Sequence, residues 1–174
     1  PIGILAQRGQ IERIFEQAVR KTVQGGKIRC HGDYHLGQLL YTGRDFLVID
    51  FEGEPLVPLS RRRIKRSPLK DVAGMIRSFH YAAFTQSVHQ RNFGMQREKL
   101  ERWAKIWFEI TIGRFLEAYQ MNMDPKLIPE KDSRWLSAFL LEKALYELQY
   151  ELHHRPDWLH IPLEGITSLL EPET

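Results

Sequence analysis

Cysteine is nearly missing from this chain: Cys30 is the only one among 174 residues. An internal disulfide is therefore excluded, and a reducing, cytoplasmic setting is the natural expectation. No apolar run approaches the length of about 18 residues that a membrane span needs, and no signal peptide opens the chain. Charge of one sign is also scarce. The 25 Lys and Arg exceed the 22 Asp and Glu by a formal net of only +3, too little to argue for nucleic acid. Repeats and low-complexity stretches are absent. The apolar content of 43% is enough for a real core in one domain or one large lobe. The chain opens on Pro1 without a Met, as expected of a piece cut from something longer.

The elements follow from periodicity. Ile11, Ile14, Phe15, Ala18 and Val19 recur at helical spacing, so residues 10–24 read as an amphipathic helix ended by Gly25-Gly26. Residues 39–41 and 46–49 read as two short strands. The turn Thr42-Gly43-Arg44-Asp45 between them signals a hairpin. The Pro- and Arg-rich stretch 51–67 reads as an irregular loop. Its basic run Arg61, Arg62, Arg63, Lys65, Arg66 is expected to be a solvated face.

Beyond it the pattern is helical. Ser67-Pro68 places a cap residue before a Pro at the first helical position. The stripe Leu69, Val72, Ala73, Ile76, Phe79 then runs toward Val88. Further helices are expected over 96–121, 134–153 and 163–170, with breaks at Asp124-Pro125, Ile128-Pro129 and Arg155-Pro156. In the 96–121 helix, Leu100, Trp103, Trp107, Ile110, Phe115 and Leu116 are available to the core. The expected fold is mainly α with one small β-hairpin, without the strand–helix rhythm of a doubly wound sheet.

Chemistry concentrates in His31-Gly32-Asp33-Tyr34-His35-Leu36-Gly37-Gln38 and, after the hairpin, Ile49-Asp50-Phe51-Glu52. A hairpin folds back on itself, so Asp33, Gln38 and Asp50 return to one edge. Phosphoryl transfer needs such groups: a carboxylate near the attacking hydroxyl, and hard oxygen ligands for Mg²⁺ on nucleotide phosphates. A lone Gly-Asp pair beside a hairpin is ordinary turn chemistry. The joint order of H-x-D, an amide and a second Asp is a recurring kinase pattern.

The strings HGDYHLGQ, IDFEGEP, SPLKDVAGMIRSFHYAA and LEKALYELQYELHHRPDWLHIPLEGI together resemble the maltokinases. These are bacterial enzymes of the aminoglycoside-phosphotransferase-like kinase group, often fused to trehalose synthase. The resemblance implies the C-terminal lobe of a protein-kinase-like fold. On that reading 1–174 is a single C-lobe, with catalytic loop, hairpin and following loop in 28–67 and a helical subdomain in 68–174. It implies phosphorylation of maltose to maltose 1-phosphate with ATP and Mg²⁺, serving α-glucan metabolism. The implied partners are maltose, the missing N-lobe of the same polypeptide, and a fused or associated trehalose synthase. Asp33 would be the catalytic residue that orients or accepts the hydroxyl proton. Gln38 and Asp50 would hold the metal, with Glu52 a weaker candidate. His31 and Asp71 would brace the catalytic loop, and His35 would reach the sugar. Tyr146, Glu147 and Tyr150 would contact the sugar, since rings beside carboxylates suit a disaccharide. Rings at helical spacing are also commonly core, and Trp103 and Trp107 are read that way. Arg61 and His80 stand where the pattern carries Glu and Asp.

The parts that clamp ATP are not found. No G-x-G-x-x-G-like string precedes Asp33, and the 32 residues before it are too few for a sheet-containing lobe. The lobe alone is expected to have little or no kinase activity. Two rivals stay open: a kinase of the same fold acting on another sugar or an aminoglycoside, and a non-catalytic carbohydrate- or partner-binding module.

Overall fold

The computed structural model describes residues 2–20, 25–55, 57–89, 94–127 and 133–171. Two N-terminal helices, α1 (Ile2–Ala6) and α2 (Arg8–Val19), lead to a two-stranded hairpin, β1 (Leu39–Tyr41) and β2 (Phe46–Val48). The strands pair antiparallel, Leu39 opposite Val48 and Tyr41 opposite Phe46. Five more helices follow among the described residues: α3 (Leu59–Arg62), α4 (Leu69–His89), α5 (Gly94–Asn122), α6 (Ser133–His154) and α7 (His160–Leu170). The mainly helical reading with a single hairpin is correct among the described residues.

The core lies where α4, α6 and α7 meet. Val72, Ala73, Met75 and Ile76 of α4 are buried there, with Leu141 and Ala144 of α6 and Ile161 and Ile166 of α7. Ile11, Ile14 and Phe15 carry α2 onto the same cluster, as their helical spacing implies. Val19, expected on that face, is instead exposed at the end of α2. The expected continuation over 21–24 and the Ile128-Pro129 break lie outside the described residues.

Two sequence expectations are corrected. The stretch 51–67 is not wholly irregular. It contains α3, and its end is tied down by an antiparallel bridge between Ile28 and Arg66. Arg62 organises the bend by donating from Nε to the Val57 carbonyl at 2.6 Å and from Nη2 to the Pro55 carbonyl at 2.8 Å. Trp103 and Trp107 are not core: they are 60% and 46% exposed. The helix α5 packs chiefly on α4, through Phe108 and Phe115 against Phe79, His80 and Phe84. One neighbouring helix cannot bury both faces of a helix. Leu100, Trp103 and Ile110 therefore stay outside, and Trp107 meets Phe79 only edge-on.

Candidate active site

The helix α4 acts as the ruler for the His31–Leu36 loop. Ser67 opens it, its Oγ accepting from the Leu69 amide at 3.3 Å. Asp71, in its first turn, accepts from the His31 amide at 2.7 Å and the Gly32 amide at 2.9 Å. One turn on, Gly74 lets the loop lie directly on the helix, since a Cβ there would stand 2.7 Å from the Tyr34 carbonyl oxygen. Another turn on, Ser78 Oγ accepts from the Leu36 amide at 2.9 Å. Spacings of three and four put these residues on one helix face.

The hairpin fixes the other side of the loop. His31 Nε2 donates to the Ile49 carbonyl at 2.7 Å, and Nδ1 accepts from the Asp33 amide at 3.4 Å. A ring protonated on Nε2 and open on Nδ1 serves both bonds. The Ile49 amide donates to the Gln38 carbonyl at 3.0 Å, extending the ladder past the last strand residues. Gly32, at φ +86°, crosses under Gly53 so closely that a Cβ would stand 3.2 Å from the Gly53 Cα. A left-handed φ and a close approach at one position both demand glycine.

Two polar groupings result. In the first, Gln38 Nε2 donates to Asp50 Oδ2 at 3.0 Å. Asp50 is exposed and holds φ +61°, a left-handed conformation that Asp and Asn tolerate better than other side-chain-bearing residues. In the second, Lys143 of α6 stands between two carboxylates. Its Nζ donates to Asp33 Oδ1 at 3.2 Å and to Glu54 Oε1 at 2.5 Å. Burial opposes the charge on Lys143, but the carboxylates of Glu54 and Asp33 outweigh it, and its pKa is raised.

The expected site residues fall into two sets. Asp33, Gln38, Asp50, His31 and Asp71 belong to one hydrogen-bonded frame of loop, hairpin and α4. His35 joins it: its Nδ1 accepts from the Gly37 amide at 3.0 Å, and its Nε2 stands 3.8 Å from Asp33 Oδ2. Glu52 is exposed, two residues beyond Asp50. Tyr146 has its ring 5.1 Å from Lys143 Nζ and lines a cavity of about 210 Å³ with Gly53, Glu54, Glu142 and Lys143. Glu147 and Tyr150 point elsewhere. Glu147 is spent on α4: its Oε2 accepts from Arg77 Nε at 2.8 Å and lies 2.7 Å from Nη2. The Tyr150 ring stacks on His154 at 4.3 Å and lies under the Arg155 guanidinium.

Glu54 and Lys143 were missed as site residues. No local pattern marks them, because Lys143 is 110 residues from Asp33 and only the packing of α6 on α4 brings them together.

The donor set suits a hard, partly hydrated cation. Asp50 and Gln38 offer a carboxylate and an amide on an exposed edge, and turning the Gln38 amide over would aim its oxygen the same way. No group of three or more His, Cys, Asp or Glu able to hold a metal occurs among the described residues. Mg²⁺ is usually held by one or two carboxylates together with substrate phosphates and water.

No family model matches this chain. It is 29% identical over 145 residues to a glucosamine kinase of Mycolicibacterium smegmatis, covering 83% of this chain and 35% of that protein. A glucosamine kinase of Streptacidiphilus jiangxiensis is 28% identical over 145 residues, covering 82% and 32%. The chain thus spans about a third of the length of these curated relatives. A structure of glucosamine kinase in complex with glucosamine, ADP and inorganic phosphate matches with a TM-score of 0.76 at 23% identity. The match covers 95% of this chain and 38% of that one. A second crystal form of glucosamine kinase matches with the same TM-score, covering 40% of its chain. The fold is that of a kinase-like C-lobe, and the homologues are sugar kinases.

Proposed function

We propose that this chain is the catalytic lobe of an ATP- and Mg²⁺-dependent sugar kinase whose acceptor is maltose. The observation that carries the kinase reading is the joining of Asp33 and the Gln38–Asp50 pair in one frame, through His31, which bonds both the Ile49 carbonyl and the Asp33 amide. In the proposed reaction the acceptor hydroxyl oxygen bonds to the γ-phosphorus, and the bond from that phosphorus to the β-phosphate bridging oxygen breaks. ADP leaves with the electron pair, and the hydroxyl proton passes toward Asp33. Gln38 and Asp50 would hold the metal, which supplies charge neutralisation at the phosphates. Positioning and electrostatics carry most of the catalysis in such a transfer. Asp71, His31 and Ser78 keep the loop that bears Asp33 in place.

The maltose acceptor rests on the four maltokinase-like strings. A specific observation favours a second reading: the similar proteins are glucosamine kinases, and one of their structures contains glucosamine and ADP. The experiment is an acceptor panel with the full-length protein, ATP and Mg²⁺, scoring ADP release and the phosphorylated product. Maltose 1-phosphate as the preferred product is expected. Preference for glucosamine overturns the acceptor and leaves the kinase standing. Absence of Mg²⁺-dependent nucleotide binding and of transfer to any sugar overturns the kinase and favours a binding module.

A further inference from the structure

The structure assigns to Lys143, backed by Glu54, the positioning of the Asp33 carboxylate, and we propose that this ammonium is required for turnover. The inference rests on the phosphotransfer reading above and goes beyond it, because that reading gives neither residue a role.

Three charged side chains from three separate segments converge. Asp33 comes from the loop before the hairpin, Glu54 from the loop after it, and Lys143 from the middle of α6. The Lys143 and Asp33 side chains are 18% and 21% exposed, and Glu54 only 7%. The contacts divide the Asp33 carboxylate. Oδ1 is committed to Lys143 at 3.2 Å, while Oδ2 faces the looser His35 Nε2 at 3.8 Å. The oxygen left to meet an acceptor hydroxyl is therefore Oδ2, and Lys143 selects it by fixing the other.

A polyanionic phosphate chain approaching this site meets Asp33, Asp50 and Glu54. Among these, the ammonium of Lys143 is the group that offsets the two inner carboxylates. Glu54 keeps the ammonium from swinging away, its contact of 2.5 Å being shorter than the 3.2 Å to Asp33. The position of Lys143 is itself set one helical turn away, where Glu147 of α6 pairs with Arg77 of α4. Since α4 also holds the loop through Asp71, one helix gauges both sides of the Lys143–Asp33 contact.

A purely structural role would look different. Removing one partner of a buried ion pair strands the others, so a structural role alone would show as lost stability with kcat of the folded protein unchanged. The test is made in the full-length protein with whichever sugar it phosphorylates. Lys143→Met is expected to lower kcat by roughly 100-fold, the cost of misplacing a reacting group, with KM for ATP nearly unchanged. Lys143→Arg is expected to recover part of that loss. In Lys143→Ala, added ethylammonium is expected to restore kcat saturably by about tenfold, since a small cation can occupy the vacated position. Glu54→Gln, which keeps the shape, gives the same kcat-selective loss and serves if the Lys143 variants do not fold. Wild-type kcat in Lys143→Met, or in Glu54→Gln should the former not fold, overturns the inference and leaves the kinase intact. So does a loss that neither Arg nor ethylammonium relieves. A wild-type protein without sugar-kinase activity overturns the phosphotransfer reading, and this inference falls with it.

Discussion

Asp50 combines a demand on backbone with a demand on charge. Its φ of +61° favours Asp, Asn or Gly, and its carboxylate accepts from Gln38 on the exposed edge, where the proposed function places the metal. The two demands separate in Asp50→Asn, which keeps the left-handed turn and loses the charge. Full-length protein carrying it should lose kcat by at least about 100-fold, while its melting temperature stays within about 2 °C of the parent. Near-normal turnover would remove Asp50 from the metal. His80 makes the opposite kind of demand. It is 5% exposed, ringed by Phe84 and Phe108, and its Nδ1 has no hydrogen-bond partner among the described residues. Burial first, then the charges of Arg77 and His160, push its pKa down to about 3. The folded state therefore binds this proton less readily than the unfolded chain. The group's contribution is complete above pH 6.5 and is lost as the pH falls from 6.5 toward 3. In denaturant titrations the wild type should lose more stability than His80→Phe on acidification through that window. Parallel pH profiles would show that the ring is hydrated in the folded state.

At the level of elements, α4 does two jobs along one length. It carries the loop that bears Asp33 through Asp71, Gly74 and Ser78, and it locks α6 through Arg77, between Gly74 and Ser78. The Arg77 and Glu147 side chains are 4% and 12% exposed, so neither charge has water to fall back on. Glu147→Gln should cost roughly 3 kcal/mol of stability, because it strands a buried guanidinium. A sugar-contacting glutamate would behave otherwise, raising the acceptor KM with little change in melting temperature. The same comparison bears on α6 as a substrate helix. Of the three α6 residues expected to meet sugar, only Tyr146 faces the cavity beside Lys143. Helical spacing put Tyr146 and Tyr150 on one face, but that face spans more than the site. Tyr150, a turn further on, meets Arg155 and His154 at the far end of the helix.

At the scale of the whole molecule, the loop that bears Asp33 is held by α4 and α6 while the hairpin is left bare. Leu40, Tyr41, Phe46 and Leu47 are 50% to 66% exposed on its two strands, as suits an element that needs a further layer of protein. No glycine-rich phosphate loop precedes Asp33 in this sequence. The purified 174-residue chain should therefore show under about a hundredth of the sugar-kinase rate of the full-length protein, since positioning of the nucleotide is lost. Comparable rates would show that this lobe binds and orients ATP by itself. Much of the architecture is decided by local rules. The hairpin follows from short apolar runs around Thr42-Gly43, α4 from the Ser67-Pro68 start and its apolar stripe, and the Gln38–Asp50 contact from the fold-back of that hairpin. These depend on neighbours within some twenty residues, so the sequence alone carries them. Tertiary structure decided what depends on distant partners. It exposed Trp103 by packing α5 chiefly on α4 and drew Glu147 into the α4 contact. It also closed a gap of 110 residues to set Lys143 against Asp33. A buried charge has no local signature, because its partner is chosen by packing and by the cost of leaving it unpaired.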